Sequence, residues 1–300
     1  MLSSVMSQSP QRWPLGIAPI LWNNDDLPEL TPPVPFERVL DEIASAGYEG
    51  TELATNAPRD ARLLRDELQS RGLRLAGSFL ALDFLDSPLD GEVERAGVLA
   101  RLLREAGSGV LVAGPAEHPQ RMTSAGGARQ PATTDAHYTL IATGLERVAE
   151  RCLRENVVLA FHNHAGTFIE TPEELDELCR RTDPALVRLC LDVGHLIVGG
   201  GDPVEAVRHY GRRVAYVHLK DVDPEALEHM RAGRTGFMEG LRERVFCELG
   251  RGCLDLAGVV GALREERFDG WVVLEQDTTY RAPFESAVES RAAFRGVAGF

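Results

Sequence analysis

Eight short β-rich runs recur along the 300-residue chain, each followed by a longer stretch of helical period. No other feature limits the fold as strongly. The runs are Leu15–Ala18, Gly50–Leu53, Leu73–Phe79, Gly109–Ala113, Val157–His162, Arg188–Asp192, Val214–Leu219 and Trp271–Glu275. Between them lie amphipathic segments such as FERVLDEIASAG (36–47), ARLLRDELQSRG (61–72) and LERVAERCLREN (145–156). Helix punctuation agrees with this spacing. Thr171 stands as an N-cap before Pro172 and acidic residues, and SAGY and SRGL put glycine where helices should stop. Strand–helix alternation implies parallel strands, because parallel neighbours need a crossover between them. Eight such units in this length predict a single-domain α/β fold, a (β/α)8 TIM barrel over residues 15–300. An open doubly wound sheet would carry a glycine-rich fingerprint after its first strand. No such fingerprint follows Leu15–Ala18, and GGG at 199–201 reads as a loop.

Two connections are long: 114–133 after the fourth predicted strand and 220–253 after the seventh. Both would overhang the C-terminal face of the barrel, where lids or subunit contacts belong, and a homo-oligomer is compatible with them. Residues 1–14 read as a loose N-terminal tail without the apolar stretch of a signal peptide, and no segment approaches a membrane span. Five cysteines without a CxxC pair, three of them in apolar patterns, predict reduced thiols and a cytoplasmic setting. The formal net charge of −14 argues against nucleic-acid or anionic-membrane partners and favours a small-molecule substrate.

The strand ends carry the chemistry. Residues two apart in a strand share a face. In LAFHNH, Leu159 and Phe161 face the outer helices, so His162 and His164 face inward. CLDVGH turns Asp192 in, with His195 just beyond, VAYVHLKD turns in His218 and Lys220, and WVVLEQD turns in Glu275. Four successive strands thus place His, Asp, His and Glu in one layer near the axis. Buried carboxylates and imidazoles are costly unless paired, and one divalent cation satisfies them together. Mixed nitrogen and oxygen donors without thiolate suit Mn²⁺, Co²⁺, Mg²⁺, Fe²⁺ or Zn²⁺. Asp192, His218 and Glu275 are the predicted ligands, with His162 as the inward candidate for a fourth. Such a cation polarises a carbonyl and stabilises the enediolate left by loss of the adjacent proton. His195 and His164 are the imidazoles in reach for proton transfer. Lys220 is placed either to bond a substrate oxygen or to pair with Asp221 or Glu248.

On LDVGH (191–195), VHLKD (217–221), LGRGCLD (249–255) and VLEQD (273–277), the chain resembles the xylose isomerase-like TIM-barrel superfamily, over residues 15–297. That resemblance implies a divalent metal on Asp192, His218 and Glu275, with His195 beside substrate or metal. GIAPILWNNDDLPEL (16–30), GYEGTEL (47–53) and FHNHAGTFIETPEEL (161–175) are similar to the inosose dehydratases, which eliminate water from 2-keto-myo-inositol. By that similarity Trp22, Asn23, Asn24, Asp25 and Glu52 would line the substrate pocket. Ketose 3-epimerases of the superfamily have a glutamate where this chain has His162, and they pass a proton between two metal-bound glutamates. A histidine there disfavours that exchange and favours a lyase. Two features depart from the dehydratase pattern: the plain loop ELATNAPRDARLL after the second strand, and Arg251 between two glycines.

These readings imply a metal-dependent hydro-lyase of inositol catabolism acting on a keto-cyclitol through an enediolate. A metal-dependent sugar or sugar-phosphate isomerase or epimerase is the alternative. A metal-dependent endonuclease and a non-catalytic sugar-binding protein are further classes, the first opposed by the acidic charge.

Overall fold

The computed structural model describes residues 12–30, 32–127 and 130–300. Its strands, in chain order, are β1 (Leu15–Ile17), β2 (Gly50–Thr51), β3 (Arg74–Leu75), β4 (Phe79–Leu82), β5 (Val110–Pro115), β6 (Val158–His162), β7 (Val187–Asp192), β8 (Val214–Leu219), β9 (Asp221–Val222), β10 (Phe246–Cys247) and β11 (Trp271–Leu274). Nine of them form one sheet in the order β3-β2-β1-β11-β8-β7-β6-β5-β4, and each neighbouring pair is parallel. The two ends of that order are halves of one predicted strand, Leu73–Phe79. It breaks at Ala76–Ser78 and resumes as β4, three residues further than predicted. The break is bridged, since Leu53 N–H donates to Gly77 O and Val112 N–H donates to Ser78 O. Counting β3 and β4 as one, the sheet closes on itself as an eight-stranded barrel.

Helices cover the outside. The first, Phe36–Ala46, packs against the last, Pro283–Ala298, and so closes the outer ring. Helix punctuation is as the residue pattern predicts. Gly47 takes φ +85° at the end of Phe36–Ala46, and Thr171 and Glu174 form a capping box on Pro172–Arg181.

Three apolar layers result. Between sheet and helices lies the main core, built on residues such as Leu111, Leu159, Phe161, Leu191, Val217 and Val272. Inside the barrel sits a smaller layer: Ala18, Ala76, Val112, Ala160, Cys190, Tyr216 and Val273. This second set fixes the register of the site, because His162, Asp192, His218 and Glu275 each stand two residues beyond one of its members. A third cluster covers part of the mouth. There Ala125 and the side chains of Ile197, Val198, Val222, Leu227, Met230, Phe237, Leu241, Val245 and Phe246 pack together with Leu27. The long connections therefore fold. Residues 220–253 contain the antiparallel β9–β10 pair and helices Pro224–Arg231 and Phe237–Arg242.

One expectation is corrected at the N-terminus. Residues 1–11 of the predicted tail lie outside the described residues, but Trp13 is 1% exposed and donates its indole N–H to Phe268 O at 2.7 Å. An indole plugging the end of the main core gives this stretch a fixed place. All five cysteines are free thiols, and no described helix is long and apolar enough to cross a membrane.

Candidate metal centre and its cavity

At the C-terminal ends of β6, β7, β8 and β11, one donor atom each from His162, Asp192, His218 and Glu275 converges, all within 4.8 Å of one another. His162 Nε2 lies 3.1 Å from His218 Nδ1 and 3.3 Å from Asp192 Oδ2. His218 Nδ1 lies 2.8 Å from Glu275 Oε2 and 3.5 Å from Asp192 Oδ2. Donors bound about 2.0–2.2 Å from one ion lie roughly 3–3.5 Å apart, so the spacing fits a shared cation. Two of these atoms, Asp192 Oδ2 and Glu275 Oε2, are buried without a hydrogen-bond partner. Anionic oxygens in that condition call for a positive charge. The donor set therefore fits a divalent metal.

Two of the donors, His218 and Asp192, are aimed by hydrogen bonds from their surroundings, whereas His162 Nδ1 is buried without a partner. His218 donates from Nε2 to Glu52 Oε1 at 2.9 Å, which turns Nδ1 toward the other three donors. Tyr216 OH donates to the same Glu52 oxygen at 2.9 Å. Asp192 is gripped through its backbone by Asn163, whose side-chain amide donates to Asp192 O and accepts from Asp192 N–H, both at 3.0 Å. Its Oδ1 accepts from His195 N–H at 2.8 Å, capping the short helix Val193–Val198 and leaving Oδ2 free. Gly194 makes room for this turn: a Cβ there would come within 2.6 Å of the Lys220 Cβ.

Lys220 does not reach the cavity. It is 1% exposed, and its ammonium sits 2.9 Å from Glu275 Oε1, 3.1 Å from Asp277 Oδ2 and 3.1 Å from His195 Nε2. The predicted pairings with Asp221 or Glu248 are replaced by these. Asp221 instead accepts from the backbone N–H groups of Val222, Gly250, Gly252 and Leu254, and so shapes the LGRGCLD loop. Burial works against the Lys220 charge, but Asp277, Glu275 and Asp192 outweigh it and raise its pKa. In return, burial of Asp192 and Glu275 is outweighed by Lys220 and nearby imidazoles, and both carboxyls are held below the usual range.

A cavity of about 220 Å³ opens beside the four donors. His162, His218 and Glu275 line it, as do Asn23, Asp25 and Glu52, joined by His164, Asp26, Phe79 and Asp277. His164 Nδ1 lies 2.7 Å from Ala165 O; a carbonyl only accepts, so Nδ1 carries the proton and Nε2 keeps the lone pair. Burial first, then His162 and Lys220, pushes the His164 pKa down to about 3. The His195 ring lies tilted against the His164 ring, centroids 3.8 Å apart, but behind it, 1% exposed and outside the lining.

Four expected site residues are thereby corrected in place: His195 and Lys220 stand behind the cavity wall, and Trp22 and Asn24 are held elsewhere. The Trp22 indole, 1% exposed, donates to Glu42 Oε2 at 2.7 Å and packs in the main core. A buried indole N–H needs a partner, and Glu42 of the first helix supplies it. Asn24 is structural too. It donates to Asp277 O at 2.8 Å and accepts from the N–H groups of Asp26 and Leu27. Asn23 closes residues 23–34 through two bonds with the Val34 backbone while facing the cavity. Arg251 ion-pairs with Glu289 at the surface, outside the lining.

Residue reading missed Phe79, Asp277 and Asn163. Phe79 is 42% exposed, its ring 5.3 Å from that of His162, so the aromatic wall expected from Trp22 comes from the third barrel strand. Asp277, two beyond Glu275 on the same face, carried a signal in the period-two rule. Its pKa is raised to about 7, chiefly by burial, with Lys220 opposing.

Residues 40–296 match the family described as xylose isomerase-like TIM barrel. The chain is 34% identical over 282 residues to the inosose dehydratase of Lacticaseibacillus casei, covering 92% of this chain and 94% of that one. It is 32% identical over 295 residues to the inosose dehydratase of Clostridium beijerinckii, covering 95% and 97%. Among solved structures, the IOLI protein with a bound zinc atom superposes with a TM-score of 0.74 at 15% identity, covering 95% of this chain and 98% of the other.

Proposed function

Since this chain belongs to the xylose isomerase-like TIM barrel family, we propose that it is a divalent-metal-dependent dehydratase acting on a keto-cyclitol, most specifically 2-keto-myo-inositol. The observation that carries the reading is the meeting of four donors beside a cavity that His164 lines, with its Nδ1 taken up by Ala165 O. Likeness to dehydratases over nine-tenths of the chain supports the same substrate.

His162, Asp192, His218 and Glu275 would hold the metal, which when bound supplies Lewis acidity to a carbonyl and its neighbouring hydroxyl. His164 Nε2 takes the proton from the carbon beside the carbonyl. The electron pair forms a C=C bond to the next carbon as the hydroxyl there departs, the His164 imidazolium returns its proton to that hydroxyl as water, and the enol so formed tautomerises to the diketone. Lys220 keeps Glu275 and Asp277 in place, and Glu52 keeps His218 in its Nε2–H tautomer. The zinc reported for the structural neighbour is compatible with this donor set. The acidic lining, with Asp25, Asp26, Glu52 and Asp277 and, among the described residues, neither Lys nor Arg, suits a neutral polyol and opposes a sugar phosphate.

The test is turnover of 2-keto-myo-inositol to its diketone, before and after chelation and metal return. Failure of the metal-restored protein to form diketone removes the lyase reading. Deuterium uptake into a ketose without water loss would establish an epimerase instead.

A further inference from the structure

The peptide unit joining Ala165 to Gly166 is engaged at both ends. Its carbonyl oxygen accepts from His164 Nδ1–H at 2.7 Å. Its N–H, from Gly166, donates to Glu170 Oε2, also at 2.7 Å. We infer that Glu170 is a positioning residue that acts through this single peptide plane to lock His164 in the Nδ1–H tautomer, with Nε2 toward the cavity.

The argument rests on geometry. A peptide unit is planar, so its carbonyl cannot swing without moving its N–H. A carboxylate on the N–H side pins the plane and polarises the amide, which strengthens the carbonyl as an acceptor. Orienting carboxylates usually touch the imidazole directly; here a backbone amide stands between the two.

Glu170 is itself anchored from outside the turn. It is 1% exposed, and its Oε1 accepts from Gly126 N–H at 2.7 Å and from the Gln130 side-chain amide. Both donors belong to the long connection after β5. Glu174 takes Arg121 Nη2 at 2.6 Å and Thr133 OH at 2.7 Å from the same connection, and also bonds the Glu170 N–H. The turn is close-fitted to it as well: Gly166 has φ +80°, and a Cβ there would come within 2.4 Å of Met122 Sδ. The connection that overhangs the barrel thus reaches His164 through two buried carboxylates without entering the cavity.

The role given to His164 rests on the proposed function, but its tautomer is measurable without substrate. The experiment is the imidazole ¹⁵N spectrum of the full chain, metal-free and with Zn²⁺, with His164 assigned by its absence in H164Q. The wild type should show protonated Nδ1 and unprotonated Nε2. In Glu170→Gln the amide oxygen faces Gly126 and Gln130, leaving its NH₂ against Gly166 N–H. Both Glu170→Gln and Glu170→Ala should therefore populate the Nε2–H tautomer. On 2-keto-myo-inositol their kcat should fall about 10–100-fold, with KM and metal affinity changed less than about threefold. Should Glu170→Ala not fold, the Glu170→Gln spectrum decides alone. Full retention of the Nδ1–H tautomer in the folded variants overturns the inference. A shifted tautomer in a protein whose wild type never forms diketone upholds the positioning role and sinks the lyase reading.

Discussion

The barrel mouth has a sealed side and an open side, and the contrast separates what holds the site from what meets the substrate. Over β7 and β8, residues 220–253 lay Phe237 and Phe246 against His164, His195 and Lys220. The Phe246 ring sits 4.9 Å from His195 and 4.4 Å from the Lys220 ammonium. Phe246 is 0% exposed. On the side of β1–β4, the corresponding aromatic is Phe79, facing open cavity beside Asp25, Asp26 and Glu52. One phenylalanine removes water from a charged network, and the other offers a ring face to whatever enters. Exclusion of water strengthens the ion pairs that hold Glu275 and Asp277, because fewer dipoles screen them.

Four measurements would break or sharpen that contrast. The largest effect should come from the metal donors at its centre. Asp192→Asn or His218→Ala should lower kcat/KM at least about 10³-fold and abolish stoichiometric metal binding by calorimetry. An active variant with one ion still bound would show that the four atoms do not share a cation. Next, Phe246→Ala should cost about 3–5 kcal/mol in urea unfolding, against within about 1 kcal/mol for the half-exposed Phe79→Ala. Equal losses would erase the distinction between the two sides. Glu52→Gln, at the boundary, should weaken metal binding about 10–100-fold while the fold survives, because His218 loses its charged partner. Unchanged affinity would place Glu52 among the substrate contacts alone. The smallest effect belongs to the rim: Asp26→Asn should alter turnover of a neutral cyclitol less than about threefold and ease binding of a phosphorylated one, an electrostatic gain that salt would screen. Inhibition constants at two ionic strengths would read it.

Much of the architecture is legible in the sequence. Alternation of β-rich and amphipathic segments sufficed for a closed α/β barrel. The period-two rule sufficed to name the four residues whose donor atoms the fold gathers, since each stands two beyond an inward apolar residue of its own strand. What escaped reading were partnerships between distant segments. The run WNND looks like a set of pocket residues, yet Trp22 finds its acceptor 20 residues away in Glu42, and Asn24 finds its own 253 residues away at Asp277 O. Phe79 escaped because the third strand breaks just before it, at Ala76–Ser78, where Gly77 is the local mark.

The chain's own pattern decided the eight barrel strands, their parallel sense and the face on which each strand-end side chain stands, because side-chain alternation and helix capping act within a few residues. Tertiary structure alone decided which polar groups meet. It put Lys220 on Glu275 and Asp277 instead of Asp221, set His195 behind His164, and brought Glu170 to the peptide beside His164. Those outcomes depend on burial: desolvated charges and backbone groups accept only partners that packing brings within hydrogen-bond reach, and packing is a property of the whole barrel.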